Sequence, residues 1–137
     1  MIQDGTLVYW QARAYDWPAG SRPKYLNPAG ASGVGGVWFD VNSGPRVLTE
    51  DFLSAYRVAK AGYNSAALLG TSLTPKVSAR LMKEDRLVLT WLDNDTGRRG
   101  GANPGQESAA TVNRELRGFG LDVVNVVTDE DPQQRDV

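Results

Sequence analysis

Along the chain, apolar and polar positions fall into two regimes that meet near residue 45. Before that point, "TLVYWQARAY" alternates in the manner of a half-exposed strand, and "DWPAGSRPKYLNPAGASGVGG" is too rich in glycine and proline for a helix. After it, short apolar runs alternate with helical ones: "RVLT", "DFLSAYRVAKAGY", "SAALLG", "SLTPKVSARLMKE", "RLVLTWLD", "GQESAATVNRELRGFG" and "LDVVNVVT". That succession of strand and helix predicts a mostly parallel sheet with right-handed crossovers. The expected organisation is a small irregular β unit over 1–45 and an α/β domain over 46–137, the latter a four-stranded, mostly parallel sheet flanked by helices. Punctuation agrees: Thr49 or Asp51 can cap the first helix and Gly62 end it, Thr74 and Pro75 open the second, and Gly118 or Gly120 closes the third. Strands covered on both faces would bury Val47, Leu48, Ala67, Leu68, Leu87, Leu89, Val123 and Val126.

Acidic residues follow three of the expected strands. Glu50 and Asp51 come after the first, Asp93 and Asp95 after the third, and Asp129, Glu130 and Asp131 after the fourth. Ligands of open parallel sheets bind beyond the carboxyl ends of the strands, so these acids converge on one edge. Side chains alternate along extended chain, which lets Asp93 and Asp95 face the same way with Asn94 turned aside. A lone D-x-D in a loop is more often solvated polarity than a site; three acidic clusters at equivalent strand ends favour a site.

Composition narrows the chemistry. The chain has 137 residues with no cysteine and no histidine, which leaves oxygen as the metal donor and removes the commonest general base. Paired carboxylates suit a hard cation such as Mg²⁺ or Mn²⁺ that retains waters and meets a phosphate. A formal net charge of −1 means that a polyanion would have to be held by a local cluster of cations rather than by a bulk positive field. No apolar run reaches the roughly 18 residues of a membrane span, and the N-terminus lacks a signal-peptide pattern, so a cytoplasmic protein is expected.

Residues 46–132 resemble a Toprim domain, the metal-binding α/β module of DnaG-type primases, topoisomerases, RecR proteins and some nucleases. The resemblance is carried by "VLTED", "ALLGTSLT", "LTWLDNDTGRR" and "DEDP" in that order. Upstream, "YWQARAYDWPAGSRPKYLNP" is similar to the basic subdomain that precedes Toprim in DnaG-type and phage primases. The resemblance implies that Glu50 is the catalytic glutamate, that Asp93, Asp95 and Asp131 bind Mg²⁺ or Mn²⁺, and that Arg13, Lys24, Tyr25 and Asn27 line a template and nucleotide groove. Arg98 would contact a phosphate. Each has an ordinary structural reading beside this one: Tyr25 as packing, Arg13 and Lys24 as solvated charges, Arg98 in a surface ion pair.

The implied activity is metal-dependent synthesis of RNA primers on single-stranded DNA by a small, phage-type primase core. Its partners would be single-stranded DNA, ribonucleotides and a replicative helicase or separate zinc-binding protein. Departures from the pattern keep two alternatives open, a Toprim nuclease and a non-catalytic Toprim binder or inhibitor of replication. Asp51 stands where primases carry glycine, and Ser54 where they carry an aspartate. Gly97 stands where an Ala-Gly pair is expected, an insertion "GGANPGQ" follows, and the late acidic motif reads Glu130-Asp131-Pro132-Gln133.

Overall fold

The computed structural model describes residues 35–94, 103–130 and 132, together with the backbone of 2–3, 6–7, 12–13 and 25–26. The chain divides into two compact units, Met1–Val34 and Gly35–Val137. In the first, β1 (Ile2–Gln3) pairs antiparallel with β2 (Thr6–Leu7), and β3 (Ala12–Arg13) pairs antiparallel with β4 (Tyr25–Leu26).

The second unit is an α/β sheet structure. Its elements are β5 (Val37–Phe39), β6 (Arg46–Thr49), α1 (Phe52–Lys60), β7 (Asn64–Ala67), α2 (Pro75–Glu84), β8 (Val88–Thr90), α3 (Pro104–Gly118) and β9 (Val123–Asn125). The strand order is β5-β7-β6-β8-β9, with β7, β6, β8 and β9 parallel as the alternation of the sequence predicts. A fifth strand, β5, runs antiparallel along β7. This strand lies within the span 1–45 that composition assigns to the N-terminal unit. Gly36 is what lets it approach: at φ +82° it stands so close to β7 that a Cβ there would fall 2.7 Å from the Ala67 carbonyl oxygen.

The helices begin and end on local chemistry. Asp51 caps α1, its Oδ1 accepting from the Ser54 N–H at 2.7 Å. Thr74 caps α2 ahead of Pro75, and Asn103 caps α3 ahead of Pro104, each accepting an N–H three residues on at 3.4 Å. Gly62 and Gly120, at φ +100° and +88°, turn the chain out of α1 and α3.

Helices cover the two faces unequally. Val77 and Leu81 of α2 and Ala109, Val112 and Leu116 of α3 pack with Leu48, Ala66, Val88 and Val123 in the main core. On the other face α1 lies over β5, β6 and β7, with Ala55 against Val37 and Ala67. The same face of β8 and β9 therefore stays open: Val124 is 49% exposed and Leu87 40%. The expectation of burial holds for Val47, Leu48, Ala67, Leu68 and Val123 and fails for Leu87, while Leu89 and Val126 are only half-buried. Among the described residues, three helices serve two faces, and none lies over that half of the face.

At the amino ends of the parallel strands sits a charge cluster absent from the sequence reading. Arg46, fully enclosed, donates to both carboxylate oxygens of Glu84, at 3.1 and 2.5 Å, to Asp40 Oδ1 at 2.5 Å, and to the Phe39 and Ser65 carbonyls, both at 3.0 Å. Arg80 closes the cluster from outside, bonded to Asp40 at 2.9 Å and placed 4.1 Å over the Trp38 ring. Hydrogen bonding from Arg46 outweighs partial burial and holds the Asp40 carboxyl below its ordinary value. For Arg46, burial works against the charge and is outweighed by Glu84 and Asp40, leaving its pKa above the usual arginine value.

Candidate functional site

The connections of the sheet place one crevice. The chain leaves β6 through α1 toward β7 and leaves the adjacent β8 through α3 in the opposite direction, toward β9. A reversal of this kind between neighbouring parallel strands opens a gap beyond their carboxyl ends, where ligands of open α/β sheets bind. Glu50 directly follows β6, and Asp93 lies just past β8. Leu48, the last β6 residue in the β6–β8 register, pairs with Thr90, and its carbonyl accepts the Trp91 N–H at 2.8 Å. Two acids expected from the sequence thus follow adjacent parallel strands at the reversal.

Glu50 is held by backbone. The Glu50 carbonyl accepts the Leu69 N–H at 2.8 Å and the Gly70 N–H at 3.3 Å. Leu69 reaches that position only by adopting φ +61°, a left-handed conformation unfavourable for a branched side chain by about 1–3 kcal/mol. Glu50 and Asp93 are half-buried, with Glu50 Oε1 and Asp93 Oδ1 shut off from solvent.

Around Asp93 the hold comes from side-chain amides. Gln106 Nε2 donates to the Asp93 carbonyl at 3.2 Å, and Gln106 Oε1 accepts from Asn125 Nδ2 at 3.1 Å. Asn94 Nδ2 donates to the Thr128 carbonyl at 3.0 Å while its Oδ1 accepts from Asn103 Nδ2 at 2.9 Å. Below them, buried Thr90 donates to buried Asn113 of α3 at 2.7 Å, and Trp91 Nε1 donates to Thr128 Oγ1 at 2.8 Å. Asn94 thus bonds to the segment after β9 and to the cap of α3, while Asp95, its expected counterpart to Asp93, lies outside the described residues. None of these amides was marked by the sequence except through the insertion "GGANPGQ", whose Asn-Pro-x-Gln order is a helix-start signal.

The other expected site residues lie largely outside the described part of the chain. Asp95, Arg98, Asp131, Lys24 and Asn27 are outside it, and Arg13 and Tyr25 are described as backbone, directly opposite one another in the β3–β4 ladder. Among the described residues no group of three acids gathers to hold an ion. The described donor set, two carboxylates and no nitrogen or sulfur ligand, nevertheless fits a hard divalent cation.

Comparison with solved structures gives the architecture its relatives. The chain shares its fold with DNA primase domains. The crystal structure of the Aquifex aeolicus primase zinc-binding and RNA polymerase domains superposes with a TM-score of 0.69 at 21% identity, covering 95% of this chain and 33% of that one. A DNA primase domain from Pseudomonas aeruginosa superposes with a TM-score of 0.63 at 20% identity, covering 94% of this chain and 42% of that one. The present chain therefore spans between a third and somewhat over two fifths of these primase chains. At such identities the likeness is one of primase-like fold. No protein-family model and no curated protein matches the sequence.

Proposed function

We propose that the chain is the core of a primase-like nucleotidyltransferase of the Toprim type, joining ribonucleotides on single-stranded DNA with Mg²⁺ or Mn²⁺, in the small phage-type form that the sequence resembles. The observation that carries the reading is the pair Glu50 and Asp93 at the strand reversal of a primase-like sheet. Asp93, together with Asp95 and Asp131, would hold the cation, which when bound neutralises charge growing on the transferring phosphate. Glu50 would accept the proton of the attacking hydroxyl, since the chain has no histidine to do so. Arg98 and Lys24 would hold phosphates, and Arg13, Tyr25 and Asn27 would line the path of template and nucleotide.

A non-catalytic binder is the competing reading, and one observation favours it. The first turn of α1 holds no acidic residue: Ser54 is fully buried, and the Asp51 carboxylate beside it is engaged in capping the helix. Primer synthesis from labelled ribonucleotides on a single-stranded template, with and without Mn²⁺ and with a helicase supplied, separates the two. The wild type should extend primers only with metal. Glu50→Gln should lose turnover by at least about a hundredfold with modest loss of nucleotide binding. No synthesis by wild type would establish the binder; cleavage of the template would establish a nuclease.

A further inference from the structure

We infer that Asn94, Asn103 and Gln106 form an amide brace that positions Asp93 for its cation, an inference that rests on the cation reading given above. Each of the three amides uses its oxygen and its nitrogen at once. Asn103 accepts the Gln106 N–H with Oδ1 and donates to Asn94 with Nδ2. Asn94 passes the connection to the Thr128 carbonyl beyond β9, and Gln106 links the Asp93 carbonyl to Asn125 within β9. The first turn of α3 is thereby tied to the segment after β8 and to the segment after β9 by side chains alone. An amide satisfied at both ends has one orientation, and linked amides restrict one another.

The position of Gln106 is the telling detail. It is the third residue after the cap, where a glutamine ordinarily turns back to the N–H of the capping residue. Here its donor goes instead to the Asp93 carbonyl and its acceptor to Asn125. Asn103 and Gln106 both lie in "GGANPGQ", so the extra length before α3 supplies two of the three bracing side chains. By fixing the peptide of Asp93, the brace fixes the direction in which its carboxylate leaves the chain. Groups that orient a metal ligand in this way typically matter by about ten- to a hundredfold in affinity.

Mn²⁺ titration of the full chain by electron paramagnetic resonance, with melting of the metal-free proteins in parallel, tests the brace. Gln106→Met keeps the bulk of the side chain and removes both hydrogen bonds, and Asn94→Ala removes the link to Thr128. Asn103→Ser is the control for folding, because it retains an oxygen to cap α3 and loses only the donor to Asn94. Each should bind Mn²⁺ about tenfold more weakly, with Asn103→Ser melting within about 2 °C of wild type. Asn125→Ala should weaken binding in the wild type and add nothing in Gln106→Met, since it acts through Gln106. Wild-type Mn²⁺ affinity in all three variants, while Asp93→Asn binds none, would overturn the brace and leave the cation site standing. Absence of Mn²⁺ binding by the wild type would remove the cation site and the brace with it.

Discussion

Arg46 shows what a single residue hides when it sits at the head of an apolar run. "RVLT" reads as a strand with a charged lead-in, yet the guanidinium is fully enclosed and its partners are six and 38 residues away. Only the fold brings Asp40 and Glu84 to it. Arg46→Ala should lower the unfolding free energy by about 3–5 kcal/mol in urea denaturation, because Glu84, 14% exposed, is left without its bidentate partner. Asp40 is a smaller matter, since its side chain is 61% exposed. Its carboxyl is depressed on folding, so its contribution is present above the unfolded value near 3.8 and is lost as pH falls through the lower folded value. Asp40→Asn should therefore cost less than about 1 kcal/mol at pH 7, and the gap from wild type should narrow as pH falls below 3.8 in parallel denaturation curves. Glu50 and Asp93 were legible where Arg46 was not, because an acid after a strand has a place in the topology before the fold is known. Asn94, Asn103 and Gln106 were not: amides in loops take whatever partner packing offers.

Among elements, the most local signals were read best. All three helices and the four parallel strands lie where periodicity put them, and Asp51, Thr74 and Pro75 open α1 and α2 as their chemistry suggests. What failed was non-local. Leu87 has the apolar character of a covered strand, but cover depends on how many helices reach that face, and α1 lies over β5, β6 and β7 instead. β5 was lost in glycine-rich surroundings for a related reason. Its glycines signal irregular chain, whereas Gly36 in fact serves the close approach to β7. Gly36→Ala should destabilise by about 1–3 kcal/mol through the disfavoured φ and the collision with the Ala67 carbonyl. Hydrogen exchange should then show amides of 37–39 losing protection ahead of those of β6 and β8; uniform loss across the sheet would contradict the separate seating of β5.

For the whole molecule, the balance of 15 basic and 16 acidic residues decides how a polyanion could be bound. A bulk field of either sign is absent, so any affinity for single-stranded DNA, as proposed above, would have to come from a few cations. Lys24→Ala should weaken binding of a single-stranded oligonucleotide and reduce the slope of log K against log salt by roughly 0.7, the value for one phosphate contact on a single strand. Fluorescence anisotropy across a salt series reads both; an unchanged slope would take Lys24 out of the groove.

β6 carries different responsibilities at its two ends. Its first residue, Arg46, bonds to Asp40 and Glu84, and the residue after its last, Glu50, follows at the carboxyl end, about 13 Å of extended chain away. Substitutions that far apart, sharing no partner, ordinarily act independently on stability. An acid at the carboxyl edge can consequently be exchanged without loosening the cluster at the amino edge. Ser54, which stands where the resembled pattern has an aspartate, is fully buried in α1. A fold arranged this way is open to change of vocation. On the proposed reading, turnover could give way to capture through such exchanges alone, with the framework of the sheet unchanged.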